Sequence, residues 1–185
     1  MSQRANSEAV AMTLATRFGR VLMTVFLFWF LGRRLDRSAR MHQGRRDVNR
    51  KDLQTLADLR VADAKILFDA GRFSVAYYVL GYAVECALKA CVAKQIKEHD
   101  FPDRQLVLDS YTHNLEQLLR ISGVKPQFDS RMKGDRSFEV NWTTIKDWTE
   151  AARYDNNVPE IKVRDLLNAV TDATTGVLTW LKTVW

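Results

Sequence analysis

The sequence predicts an all-α fold, and three observations lead there. Glycine occurs only eight times and proline three times in 185 residues, too few for the turns that a strand-rich chain of this length needs. From residue 49 onward the apolar residues recur at helical spacing, and no segment alternates with the period of two expected of a half-buried strand. Hydrophobic residues make up 46% of the chain, enough to build a core. The expected architecture is an antiparallel up-and-down bundle of four to five helices over residues 49–185. A disordered or single-helix extension precedes it over residues 1–48.

The extension differs from the rest in charge. Residues 1–48 carry nine arginines, no lysine and three acidic residues, which is the whole net charge of +6. Residues 49–185 are balanced, so attraction to nucleic acid cannot be read from net charge for the folded part. The apolar run Val21 to Leu31 has eleven residues, short of the ~20 that span a bilayer. Arg17 and Arg20 before it give it the look of a signal-peptide core, yet Gly32-Arg33-Arg34 follows instead of a small-residue cleavage site. Three readings stand: a membrane-associating segment, a helix docked on the bundle, or translated upstream sequence with Met41 as the later start. The abrupt change of composition just before a clean helix start favours the last. Membrane association is expected only through these residues, and the cytoplasm is the expected location.

The first helix is expected from Arg50 to Ala70, capped by Asn49 and closed by Gly71. Leu53, Leu56, Ala57, Val61, Ala64, Leu67 and Phe68 form its stripe. The second is expected from Phe73 to Lys97 and is apolar nearly all the way round from Val75 to Ala93. A helix without a polar side is buried on every side. Four helices cannot enclose one of their own number, so a dimer or partner interface over this helix is expected. Glu85 and Lys89 interrupt the run at i,i+4, in the order that favours an ion pair. They also argue against a membrane span. Cys86 and Cys91 lack partners at metal spacing and are expected to be buried thiols.

Residues 98–110 are expected to be a linker, followed by a helix from Thr112 to Ile121 that Gly123 ends. Residues 124–140, polar and containing Pro126 and Gly134, are expected to form a mobile loop. A helix from Trp142 to Arg153 should bury Trp142, Ile145, Trp148 and Ala152. Pro159 starts the last helix, which Gly176 divides. The five tryptophans, at 29, 142, 148, 180 and 185, are expected as core or interface anchors.

Three stretches then carry a resemblance. The second helix reads Ala76-Tyr77-Tyr78-Val79-Leu80-Gly81-Tyr82-Ala83-Val84-Glu85-Cys86-Ala87-Leu88-Lys89-Ala90. Tyr111-Thr112-His113-Asn114-Leu115 leads to Leu118-Leu119. Trp148-Thr149-Glu150-Ala151-Ala152-Arg153-Tyr154 comes last. In this order they resemble the "AVE-x-x-LKA" helix, the "H-x-L-x-x-L" helix and the aromatic-x4-Arg-Tyr segment of HEPN-domain proteins. The resemblance implies a helical bundle, usually dimeric. Such proteins include RNA-cleaving toxins, partners of small nucleotidyltransferases in toxin–antitoxin pairs, and nucleotide-binding domains. The nucleases of that family use Arg-x4–6-His, with histidine moving protons and arginine holding phosphate. This chain departs from the pattern. Its histidines are His42, His99 and His113, and no arginine lies at that spacing before His99 or His113. After Arg153 the corresponding positions hold Val158, Pro159 and Glu160. The one match, Arg37 to His42, lies in the arginine-rich extension, where chance explains it.

The leading expectation is therefore a protein that acts by association, as a homodimer or with a nucleotidyltransferase, in a toxin–antitoxin or defence setting. One alternative is a metal-independent endoribonuclease using His113 and Arg153. The other is a nucleotide- or RNA-binding module without turnover, using Glu85, Lys89, Arg153 and Tyr154. The plainer readings are an ion pair for Glu85 and Lys89, a helix-start residue for His113, and a helix-end cation for Arg153. No metal set and no cofactor motif is present in the sequence.

Overall fold

A computed structural model of the chain describes residues 48–97 and 100–185; the expectations for residues 1–47, including the apolar run and the Arg37–His42 match, lie outside the described residues. Among the described residues the protein is all-α, with eight α-helices, one 3₁₀ turn and no strand. That is nearly twice the expected number of helices, because several are short.

Helix α1 (Arg50–Asp69) begins with a reciprocal cap. The Asn49 side chain accepts the Asp52 N–H at 3.1 Å, and the Asp52 carboxylate accepts the Asn49 N–H at 3.1 Å. It ends where Gly71 takes a φ of +70°, a turn open to a residue without Cβ. The chain reverses into α2 (Phe73–Lys94), and fully buried Ala57 and Ala64 let the two helices approach closely.

Helix α2 is the axis of the fold. Thirteen of its 22 residues are buried, and α1, α4, the 3₁₀ turn, α7 and α8 all pack on it. Val75, Tyr78, Val79, Tyr82, Lys89 and Ala93 keep some exposure along one flank. Short elements from the second half of the chain cover most of this helix and leave this flank partly open. It is also the one described helix long and apolar enough to cross a membrane, at a mean hydropathy of 1.4, yet 72% of that window is buried inside the bundle.

The middle of the chain departs most from expectation. The linker contains α3 (Arg104–Ser110), whose first turn is capped by the Asp103 carboxylate accepting the Leu106 N–H at 2.8 Å. Helix α4 (Leu115–Ile121) starts at Asn114 and buries Leu115, Leu118 and Leu119. The expected mobile loop is two helices, α5 (Lys125–Gly134) and α6 (Arg136–Lys146). Asp135 separates them, and its carboxylate accepts the N–H groups of Ser137 and Phe138. Their anchor is an aromatic knot. Phe128 meets Phe138, Trp142 and Trp180 edge-on, with ring centroids 5.0–5.2 Å apart. The helix expected to run on to Arg153 stops at Lys146, and a 3₁₀ turn (Glu150–Tyr154) follows. Helices α7 (Glu160–Thr171) and α8 (Val177–Val184) divide at Gly176, as expected. The turn between them is built on Asp172, whose carboxyl is held well below its ordinary value by the N–H groups of Thr175 and Thr174 and then by their hydroxyls.

Gly81 lies against the indole of Trp148, and a Cβ there would overlap that ring. Gly81→Ala should therefore lower the unfolding free energy by about 1–3 kcal/mol despite the better helix propensity of alanine. Phe128→Ala should cost about 3–5 kcal/mol. Urea titration measures both, and a mobile loop at 124–140 would have left the second value near zero.

Cys86 and Cys91 are free and buried. Burial pushes both thiols from their ordinary 9.0 up to about 11, with the Glu85 charge adding to the effect at Cys86. The folded chain thus holds these protons more tightly than the unfolded one. Their contribution to stability is complete below pH 9.0 and is lost as the pH rises through about 11. At pH 8 a thiol reagent should label neither cysteine in the native protein and both in urea.

Candidate functional site

A charged residue in the middle of an apolar helix needs partners, because stripping a carboxylate of water costs several kcal/mol. Glu85 is 1% exposed and has two. Lys89, one turn later on α2, donates from Nζ to Oε1 at 2.8 Å. The other partner comes from 28 residues away. Nδ1 of His113 lies 3.0 Å from both Oε1 and Oε2. A carboxylate can only accept, so Nδ1 carries the hydrogen. In the neutral ring Nε2 then keeps its lone pair, and the side chain is 40% exposed.

The chain around His113 fixes that ring. Thr112 Oγ1 accepts the Asn114 N–H at 3.1 Å, and Asn114 Oδ1 accepts the Gln117 N–H at 2.9 Å. Leu115 and Leu118, both fully buried, clamp α4 beside α2. At the other end of α4, Gln95 reaches across to the Ile121 carbonyl at 2.6 Å, over Gly123 with its φ of +76°. The imidazole is therefore held from both ends of a short helix.

The groups beside the cluster are kept neutral. The Tyr82 phenol is raised above its ordinary value by burial and then by the Glu85 charge, and the Cys86 thiol is raised for the same reasons in the same order; Arg60 pulls the other way on both. Tyr82 and Tyr78 sit one turn apart with centroids 5.9 Å apart, and Tyr78 stacks on Trp148 at 6.2 Å.

Of the residues singled out from the sequence, the structure brings together Glu85, Lys89 and His113. It does not bring Arg153 and Tyr154 to them. Those two lie on the 3₁₀ turn, both exposed, with the Arg153 guanidinium 4.9 Å from the centre of the Tyr154 ring. No hydrogen bond, ion pair or ring contact among the described residues joins either to the cluster. No contact thus pairs His113 with Arg153, and the cation that shares the Glu85 carboxylate with the imidazole is Lys89. The pairing of His113 with Glu85 was missed. A usable signal existed, since a carboxylate in an apolar helix calls for more than one solvent-flanked lysine. Among the described residues no group of three or more His, Cys, Asp or Glu is placed to hold a metal ion.

These features define a small all-α protein with an imidazole oriented by a buried carboxylate. No family model matches the chain, and no curated protein or solved structure matches it.

Breaking this cluster one partner at a time should be costly. Lys89→Met should destabilise the protein by roughly 2–4 kcal/mol, below the full value for a buried pair because Lys89 is partly exposed. The double change Glu85→Met with Lys89→Met should recover most of that loss. Equal destabilisation in the single and double variants, read from chemical denaturation, would show that the carboxylate does not depend on its lysine.

Proposed function

We propose that this chain is a HEPN-like helical protein that cleaves RNA without a bound metal, using the Glu85–His113 pair for proton transfer. The observation that carries this reading is the placement of His113 Nδ1 within 3.0 Å of both oxygens of a buried carboxylate. A carboxylate in that position fixes the tautomer and steadies the imidazolium as it forms. RNA suits such a site because it brings its own nucleophile, the 2′-hydroxyl. Nε2 takes the 2′-hydroxyl proton, and the 2′-oxygen attacks phosphorus. The bond to the 5′-oxygen breaks, and the imidazolium returns the proton to that leaving oxygen. The products are a 2′,3′-cyclic phosphate and a 5′-hydroxyl. Lys89 spends one of its three N–H donors on Glu85 and has others for the phosphate as charge builds there.

Incubating the full chain with an RNA oligonucleotide in the presence of a chelator tests this. Cleavage should give a cyclic phosphate end, and His113→Ala should lower the rate about 10²- to 10⁴-fold. Arg153→Ala should leave it unchanged. RNA that survives intact with the wild-type protein would end the reading.

A second reading is association with a partner such as a nucleotidyltransferase in a toxin–antitoxin or defence setting. It draws on the partly exposed flank of α2 at Val75, Tyr78, Val79 and Tyr82 and on the arm before His113, where Phe101 is 98% and Leu108 56% exposed. Large apolar residues this open on one short segment favour a contact surface there.

A further inference from the structure

We infer that Tyr111 is the platform on which an unpaired base of the RNA stacks while its phosphodiester sits at His113. The inference rests on the reading of the Glu85–His113 pair given above. Tyr111 is the residue that ends α3, and it is 78% exposed. No side chain among the described residues bonds or stacks with its ring. It precedes His113 by two residues, so their Cα atoms lie within about 7 Å of each other. Both are held in register. The Tyr111 N–H bonds to the Leu108 carbonyl at 3.3 Å, and the Thr112–Asn114 bond fixes the turn that carries the imidazole.

Charge sets the extent of the platform. Earlier in the arm Asp100, Asp103 and Asp109 outnumber Arg104, which repels a phosphate backbone. A strand therefore does not continue along the exposed face toward Phe101. It meets one aromatic ring, at Tyr111, and then the cation of Lys89. Stacking on that ring requires a base that is out of a duplex, so the substrate is single-stranded RNA or a loop.

Steady-state cleavage of a single-stranded RNA and of the same sequence in a duplex, by the full chain, tests this. Tyr111→Ala should raise KM about tenfold with kcat unchanged. Tyr111→Phe, which keeps the ring, should behave as wild type, and the duplex should be the poorer substrate. Tyr111 is 78% exposed and lies outside the core, so a thermal melt should show both variants folded. If the wild type cleaves RNA and Tyr111→Ala does so with the same KM, the platform is overturned while the His113 site stands. If the wild type leaves RNA intact, both fall. If Tyr111→Ala instead changes the sedimentation behaviour of the protein at constant KM, the ring belongs to a protein contact and the platform is overturned.

Discussion

A helix with no polar side imposes one demand on everything around it, which is to be covered. Helix α2 buries thirteen of its residues, and the placement of the other elements follows from that. At roughly 25 cal/mol per Å² of apolar surface removed from water, no other element of this chain offers as large a return. Helix α1 covers one side through Ala57 and Ala64, which are small enough for close approach. Helix α4, the 3₁₀ turn, α7 and α8 cover most of the rest, and Trp148 lies against the gap left at Gly81. The short helices of the middle segment brace these covers. Arg131 donates to the Thr174 carbonyl and Asn141 to the Thr175 carbonyl, tying α5 and α6 to the turn between α7 and α8.

The same demand produces the site. One carboxylate lies within the covered stretch, and covering it with hydrocarbon alone would strand a charge. Lys89 meets part of that need from the same helix. The remainder is met by a residue of the covering layer, His113, at the start of α4. The carboxylate–imidazole contact is thus the means by which the apolar axis tolerates Glu85. In the reaction proposed above, the structural and chemical roles share the same atoms.

Much of this was legible in the sequence, and the losses have definite causes. Asn49, Gly71 and Gly123 mark ends of elements in the sequence as they do in the structure, because caps and left-handed turns depend on single residues. The boundaries of α1 follow from its stripe. Residues 124–140 were misread because the helix at Lys125–Gly134 buries one side chain, Phe128, and so shows no stripe, and because Phe138, which begins the stripe continued by Trp142 and Ile145, was assigned to the loop. The count of long helices behind the expected interface left out what α4, the 3₁₀ turn, α7 and α8 cover, though the flank of α2 at Val75, Tyr78, Val79 and Tyr82 stays partly open. His113 was noticed and Glu85 was noticed, but a contact across 28 residues leaves no local pattern to link them.

The order of elements along the chain has a consequence during synthesis. Helix α2 is complete at Lys94, whereas α7 and α8, which cover it, end at Thr171 and Val184. At about 5–20 residues per second of translation, the sticky axis waits on the order of 4–18 seconds for those two, with α1 and then α4 and the 3₁₀ turn beside it. A newborn chain in that interval has a half-covered greasy back, the kind of species that holding chaperones recognise. Its survival depends on how fast the ribosome delivers the last third of the protein.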